Sequence, residues 1–308
     1  MQKNNSKKNN SKKNIKIKYR KSEVISGYLF ILPSAVLFLT FMIIPIFMGF
    51  YISMTNYDGF KTMDFIGIKN YADMFKDSYF TISLKNNVIY ALATVPGTIV
   101  LSLLLAVAVN KGLKGSSFFK TVFFFPYITS NVAVGIIWSL LFNPNNGPIN
   151  NFLRGIGIAT PPEWLLSTKW ALPSIIVVSI WKSAGYYMII FLAGLQAISK
   201  ELYEAADVDG AGGMTKFFKI TLPLLSPTTF LVVILMTISS FQVFDLINVM
   251  TEGGPGRATN VLVYRIYQEG FKYMHFGYAS AMAYFLFFVI LIITIIQFIG
   301  QKKWVTYQ

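Results

Sequence analysis

Six long apolar runs alternate with shorter polar segments along this chain, and that pattern predicts an all-α membrane protein with six transmembrane helices. The first run, residues 24–57, contains no Asp, Glu, Lys or Arg. It reads as a membrane helix over about residues 26–52, bent at Pro33 or Pro45. Five further runs lie close to the ~20 residues that a bilayer needs. They cover about residues 87–109, 122–142, 172–198, 229–250 and 278–300. Pro96 and Gly97 weaken the second span midway, and Pro126 lies near the start of the third. Membranes tolerate such breaks where neighbouring helices cover the freed backbone.

The polar segments set the domain organisation. Residues 1–22 are Lys/Asn/Ser-rich, carry nine basic residues and cannot bury a core. They are expected to be a disordered cytoplasmic tail beside an anionic membrane surface. The run that follows them is too long for a signal-peptide core and lacks a small-residue cleavage pattern. A membrane domain is then expected over residues 23–301, with a long polar loop at 199–227, and residues 302–308 are expected as a short cytoplasmic tail.

Composition agrees with this reading. Hydrophobic residues make up 54% of the 308 and charged residues only 13%, with a mean hydropathy of +0.54. The net charge of +14 would suggest nucleic acid as a partner of a soluble protein. Here it is explained by basic loops that fix orientation, and no nucleic-acid partner is expected. With the N-terminus inside, 17 Lys and Arg fall in inner segments and nine in outer loops, and the outer loops also hold seven acids. Both termini are therefore expected in the cytoplasm of a multi-pass plasma-membrane protein. The absence of Cys removes thiol chemistry and Cys-based metal sites, and a single His, His275, excludes a multi-His cluster. No metal site and no catalytic residues are expected.

Residues 201–227 are the segment that a membrane protein does not need merely to join two spans. Ser199 is placed to cap a short helix, with Glu201 and Glu204 in its opening turns, where the helix dipole favours acids. Leu202, Ala205, Ala206 and Val208 give it a small apolar surface. Gly210 suits a left-handed stop. A second short helix can start near Thr215, bearing Phe217, Phe218 and Ile220, and Pro223 and Pro227 turn the chain into the next span.

The spacing Glu204-Ala205-Ala206, three residues, Gly210, nine residues, Ile220, one residue, Leu222-Pro223 resembles the EAA loop of permease subunits in bacterial binding-protein-dependent ABC importers. The triplet Asp209-Gly210-Ala211 is similar to that of the sugar-importing branch. So is the Gly-Gly-Pro turn in residues 251–259, as is the position of the loop between the fourth and fifth spans. The resemblance covers most of residues 27–300. It implies that the short helix docks in a cleft of a nucleotide-binding subunit. Glu204 would make a charged contact, Ala205 and Ala206 would allow close approach, and Gly210 would set the turn. Asp209, Ile220, Leu222 and Pro223 complete the coupling set. The blander reading is a solvated acid, two good helix formers and a plain helix stop. The resemblance also implies partners: two ATPase subunits, a second related permease, and an external solute-binding protein that delivers a carbohydrate.

The chain has no Walker A pattern; residues 111–117, KGLKGSS, imitate one with the wrong spacing for a phosphate cradle. ATP and Mg are therefore expected on the partner ATPase and no cofactor on this chain. A sugar crossing lipid needs hydrogen-bonding groups in a protein-lined path. Ser239, Gln242 and Asp245 recur at i, i+3 and i+6, one stripe of the fifth span. Lys182 and Tyr186 lie in the fourth span and Asn131 in the third. An intramembrane Lys costs roughly 2.5–3.5 kcal/mol and should face protein or water. Lys182 is expected about 16 Å below the outer end of its helix and Asp245 about 6–8 Å below its own, which leaves their pairing open. An ion-coupled secondary transporter using Lys182 and Asp245 is the alternative, although no inverted repeat is evident. A membrane-embedded enzyme has too few catalytic groups to be built.

Overall fold

The computed structural model describes residues 21–60, 63–110 and 115–306. Most of the basic tail expected at residues 1–22 lies outside the described residues, as do Lys111 and Lys114. Two units result, one ending at Gly49 and one starting at Phe50. The first holds α1 (Lys21–Phe38), which passes through Pro33, and a π-helical turn, Leu39–Ile43. Ile44 N–H reaches back to Leu39 O across that turn. It sits just before Pro45, which has no N–H to give, and α2 (Ile44–Ser53) continues beyond.

In the second unit, α3 (Ser78–Asn110) is longer at both ends than the second span expected at 87–109. It runs through Pro96 and Gly97 without a break. The helix starts earlier because Asp77 caps it, accepting from Tyr79 N–H, and because its first turn is polar and paired. α6 (Ala171–Ala197) packs along α3 and is the most buried of the spanning helices. Gly97 lies directly against Ile180 of α6. Tyr90 on α3 donates to Ser179 on α6 at 2.7 Å, so the two helices are also joined by a buried polar contact.

The third span is not one helix. α4 (Ser116–Ile128) and α5 (Asn131–Leu141) meet at 96°, with Thr129 and Ser130 extended between them. The break falls after Ile128 and not at Pro126, which remains inside α4. The fifth span likewise stops early. α8 (Ser226–Phe241) ends, Gln242–Phe244 are irregular, and α9 (Asp245–Met250) begins at an angle of its own. Phe244 at φ −142°, ψ −60° cannot continue the helix. The single stripe expected for Ser239, Gln242 and Asp245 is thereby broken. α7 (Lys200–Val208) belongs to the polar loop, and α10 (Phe276–Gln301) is the last span.

Four helices are long and apolar enough to cross a membrane alone: residues Ile25–Ser53, Ser78–Asn110, Ala171–Ala197 and Phe276–Gln301. Two bent pairs, Ser116–Ile128 with Asn131–Leu141 and Gly213–Leu224 with Ser226–Phe241, bring the number to six if each pair crosses once. The C-terminal turn returns to the start of α8. Trp304 packs its ring on Phe230, and Thr306 N–H donates to Ser226 Oγ at 2.9 Å.

The segment that follows α9 is fastened to α3. Asn86 Nδ2 donates to the carbonyls of Arg257 and Asn260, each at 2.9 Å. Asn87 Oδ1 accepts from Leu262 N–H at 3.1 Å, and its amide nitrogen donates to Ser240 O at 3.3 Å. These two side chains fasten the C-terminal side of the Gly-Gly-Pro turn, and Asn87 also reaches the last turn of α8. Buried Arg265 pairs with Glu269 and, at 3.5 Å, with Asp77. Tyr278 adds a 3.1 Å hydrogen bond to the same Asp77 carboxylate.

Candidate functional site

The two breaks meet at one cavity. It has a volume of about 360 Å³ and is walled by α3, α4, α5, α6, α8 and α9. Of the residues expected along a cargo path, Asn131, Lys182, Ser239, Gln242 and Asp245 all line it. They arrive by a different route from the one the sequence suggests. Ser239 sits in the last turn of α8, Gln242 in the break itself, and Asp245 at the first position of α9. Asn131 is the first residue of α5. Helix starts therefore face the cavity from both broken spans, carrying the partial positive charge of their free N–H groups.

Tyr186 is not among the lining residues. Its ring stacks on that of Tyr127, with centroids 4.3 Å apart, and it is Tyr127 and the next residue, Tyr187, that reach the cavity. The stretch Tyr186-Tyr187 offers two rings a hundred degrees apart around one helix, so hydropathy could not choose between them. Tyr90, Thr94 and Ser179 also line the cavity and were not expected there. A polar pattern was available: Tyr90 and Thr94 lie four apart on α3, one face of the helix.

Lys182 and Asp245 do not form an ion pair. Lys182 Nζ donates to the Tyr127 carbonyl at 3.0 Å and lies 5.5 Å from the centre of the Tyr127 ring. Asp245 Oδ2 accepts from Asn131 Nδ2 at 2.6 Å. Each charge has its own partner, and each partner belongs to the broken third span.

The polar loop follows the C-terminal end of α6. Ser199 caps α7, its Oγ accepting from Glu201 N–H at 3.2 Å. The helix ends at Val208. Gly210 then adopts φ +74°, and Ala211 N–H closes back on Ala206 O at 2.8 Å. That pattern ends a helix with a left-handed residue and favours Gly because it has no Cβ. The next helix starts at Gly213, two residues before Thr215, and passes through a π turn, Phe217–Thr221, to Pro223. Pro223 and Pro227 stand at the openings of short and long helices, where a missing N–H costs nothing. Glu204, Ala205 and Asp209 are exposed and Ala206 is buried. Ile220 and Leu222 are half-buried and Pro223 is exposed. Tyr203 Oη and Thr221 Oγ1, 2.9 Å apart, tie the two arms of the loop together. Val208 is 89% exposed and Met214 73%, so the tip presents apolar side chains that the chain itself does not cover.

Residues 98–304 match the family described as binding-protein-dependent transport system inner membrane component. The probable ABC transporter permease protein YesP of Bacillus subtilis is 38% identical over 292 residues, 94% of each chain. The sn-glycerol-3-phosphate transport system permease protein UgpA of Agrobacterium fabrum is 35% identical, over 91% of this chain and 96% of that one. The chain belongs to the binding-protein-dependent transport system inner membrane component family. A crystal structure of a bacterial alginate ABC transporter, in complex with alginate pentasaccharide-bound periplasmic protein, contains a similar chain. The similarity has a TM-score of 0.79 at 25% identity, covering 92% of this chain and 96% of that one.

The family match starts within α3 and takes in the polar loop, the last span and the cavity lining except Tyr90 and Thr94. Relatives in this family carry the name ABC transporter permease, so the chain is a multi-pass transport subunit and not itself an enzyme. The two residues of the ion-coupled alternative are separately hydrogen-bonded, Lys182 to the Tyr127 carbonyl and Asp245 to Asn131, and the family match is to a binding-protein-dependent transport system. Among the described residues no group of three or more His, Asp or Glu side chains is placed to hold a metal ion.

Proposed function

We propose that this permease carries a carbohydrate, whether a sugar, an oligosaccharide or a related polyol, into a bacterial cytoplasm on energy from ATP hydrolysed by separate subunits. The observation that carries the reading is the cavity at the two helix breaks. It combines acceptors (Asp245, Ser239), amides (Asn131, Gln242) and the face of Tyr127 in one water-sized to sugar-sized space. A hydroxylated cargo needs that mixture, and an apolar one does not. Two relatives support the cargo class by name, one permease being named for sn-glycerol-3-phosphate and one transporter for alginate.

The loop at 199–227 supplies the coupling. Glu204, Ala205, Ala206, Asp209, Gly210, Ile220, Leu222 and Pro223 keep the spacing of the EAA signature. The exposed acid and the uncovered apolar tip suit a cleft on an ATPase. A rigid pair of short helices passes on a push when that cleft closes. Two ATPase subunits holding ATP and Mg, a second homologous permease and an external solute-binding protein complete the assembly. The excess of Lys and Arg in the inner segments supports cytoplasmic termini and loop.

Co-purification of the tagged chain from native membranes, with identification of all accompanying proteins, tests this reading. An ATPase and a solute-binding protein are expected, and the ligand of the latter names the cargo. Recovery of the chain alone, with uptake that persists in ATP-free vesicles under an ion gradient, would overturn it.

A further inference from the structure

Lys182 is buried, 7% exposed, within a membrane-spanning helix, and nothing so far explains why a cation is kept there. Its surroundings on α6 do. Lys182, Gly185 and Tyr186 stand at i, i+3 and i+4, one face of the helix, and all three meet the end of α4. A Cβ on Gly185 would come within 1.8 Å of the Phe123 carbonyl oxygen, so the two backbones are in direct contact at that point. Tyr186 stacks on the Tyr127 ring. Lys182 takes the Tyr127 carbonyl oxygen itself, at 3.0 Å.

That carbonyl is special because the helix stops. In a continuous span it would accept from the N–H of Asn131. Instead Thr129 is extended, at φ −71°, ψ 143°, and the last carbonyls of α4 lose their helical donors. In lipid such groups must be satisfied by protein. Thr129 Oγ1 turns back to the Phe125 carbonyl at 3.0 Å, and Lys182 serves the Tyr127 carbonyl. The end of a helix also carries partial negative charge, which a cation stabilises. An ammonium group there answers both needs.

We infer that Lys182 is a positioning residue: it caps the broken end of α4 and so holds open the wall of the cavity, without itself contacting cargo. This leaves Asp245 as the charged group of the cavity that faces the cargo, with Asn131 steering its carboxylate. The inference rests on reading the cavity as the cargo path, but its test does not require transport. Loss of the cap should fray the last turn of α4 and leave the remainder of the bundle untouched.

The experiment is hydrogen–deuterium exchange on the assembled transporter in lipid nanodiscs, comparing native chain, Lys182→Met and Lys182→Arg. Met matches the length of Lys and has no donor, whereas Arg keeps the donor and the charge. With Met, the amides of Phe124, Phe125, Tyr127 and Ile128 (Pro126 has none) should exchange about tenfold faster or more, the scale of one charge-assisted hydrogen bond. Amides of α3 and of residues 186–197 should keep native rates, and Arg should restore the native rate at the break. Native exchange at 124–128 in Lys182→Met, or an even rise across all spans, would overturn the inference. If Lys182→Met does not assemble, Lys182→Arg decides: native exchange at the break upholds the cap and accelerated exchange overturns it. A permease whose cargo proves not to be a carbohydrate would leave this result unchanged, so the two readings fail separately.

Discussion

Asn131 and Asp245 stand 114 residues apart, and the amide of the first donates to the carboxylate of the second at 2.6 Å. Each is the first residue of a helix that resumes after a break, so a single hydrogen bond joins the two interruptions around which the cavity is built. Gly135 lies against Val249 one turn further along, which packs α5 and α9 together.

That bond should appear as coupling. Asn131→Ala and Asp245→Ala should each lower the thermal stability of the purified chain, and the double variant should lose less than their sum. An interaction energy of about 0.5–3 kcal/mol is expected from a double-mutant cycle. Strict additivity would show that the two residues do not act together.

The loop should separate assembly from transport. Glu204→Ala removes an exposed side chain, so insertion and stability should stay within about 0.5 kcal/mol of native. Uptake of the cargo should nevertheless be lost. Gly210→Ala places a Cβ at φ +74° and should cost about 1 kcal/mol in addition to impairing uptake. Uptake at the native rate in both variants would contradict the coupling role.

Two glycines that look alike in the sequence should respond differently. At Gly185 an added Cβ meets backbone, the Phe123 carbonyl oxygen at 1.8 Å, and α4 must move. At Gly97 it meets Ile180 Cδ1 at 2.6 Å, the far end of a flexible side chain. Gly185→Ala should therefore destabilise by about 3 kcal/mol or more and Gly97→Ala by about 1 kcal/mol, as thermal unfolding in detergent would read.

The ion cluster around Arg265 offers a similar contrast. Glu269→Ala leaves Arg265 buried with only the longer contact to Asp77 and should cost about 3–5 kcal/mol. His275 touches the same carboxylate at 2.8 Å but is 60% exposed, so His275→Ala should cost less than about 1 kcal/mol. Equal losses would show that the cluster is not organised around the buried arginine.

Much of the fold was legible because its signals are local. Hydropathy places the ends of the first, fourth and last spans within a few residues, whereas α3 begins at Ser78 and not at 87 and α8 ends at Phe241 and not at 250. α7 is written out by Ser199 before it and Gly210 after it. The breaks were not legible. Neither Thr129-Ser130 nor Gln242-Val243-Phe244 contains Gly or Pro, and Pro126 lies inside α4. The contacts found at those breaks are tertiary: Lys182 on the Tyr127 carbonyl, and Asn131 on Asp245. The candidate cavity was half visible for the same reason. Five polar residues stood out because they are rare within spans, whereas Tyr90, Thr94 and Ser179 were hidden in ordinary helical sequence. The pairing of Asn86 and Asn87 with residues 257–262 spans more than 170 positions, beyond any local pattern.

Force is proposed to reach this permease through the loop around Glu204, from the cytoplasmic side. The chain has no cysteine, so Glu204→Cys carries its single thiol. Labelling by a membrane-impermeant maleimide would be measured in inverted and in right-side-out vesicles. The account predicts labelling in inverted vesicles alone, slowed when the co-purified ATPase is bound. Labelling in right-side-out vesicles would put the loop beyond the reach of any cytoplasmic ATPase and contradict the account.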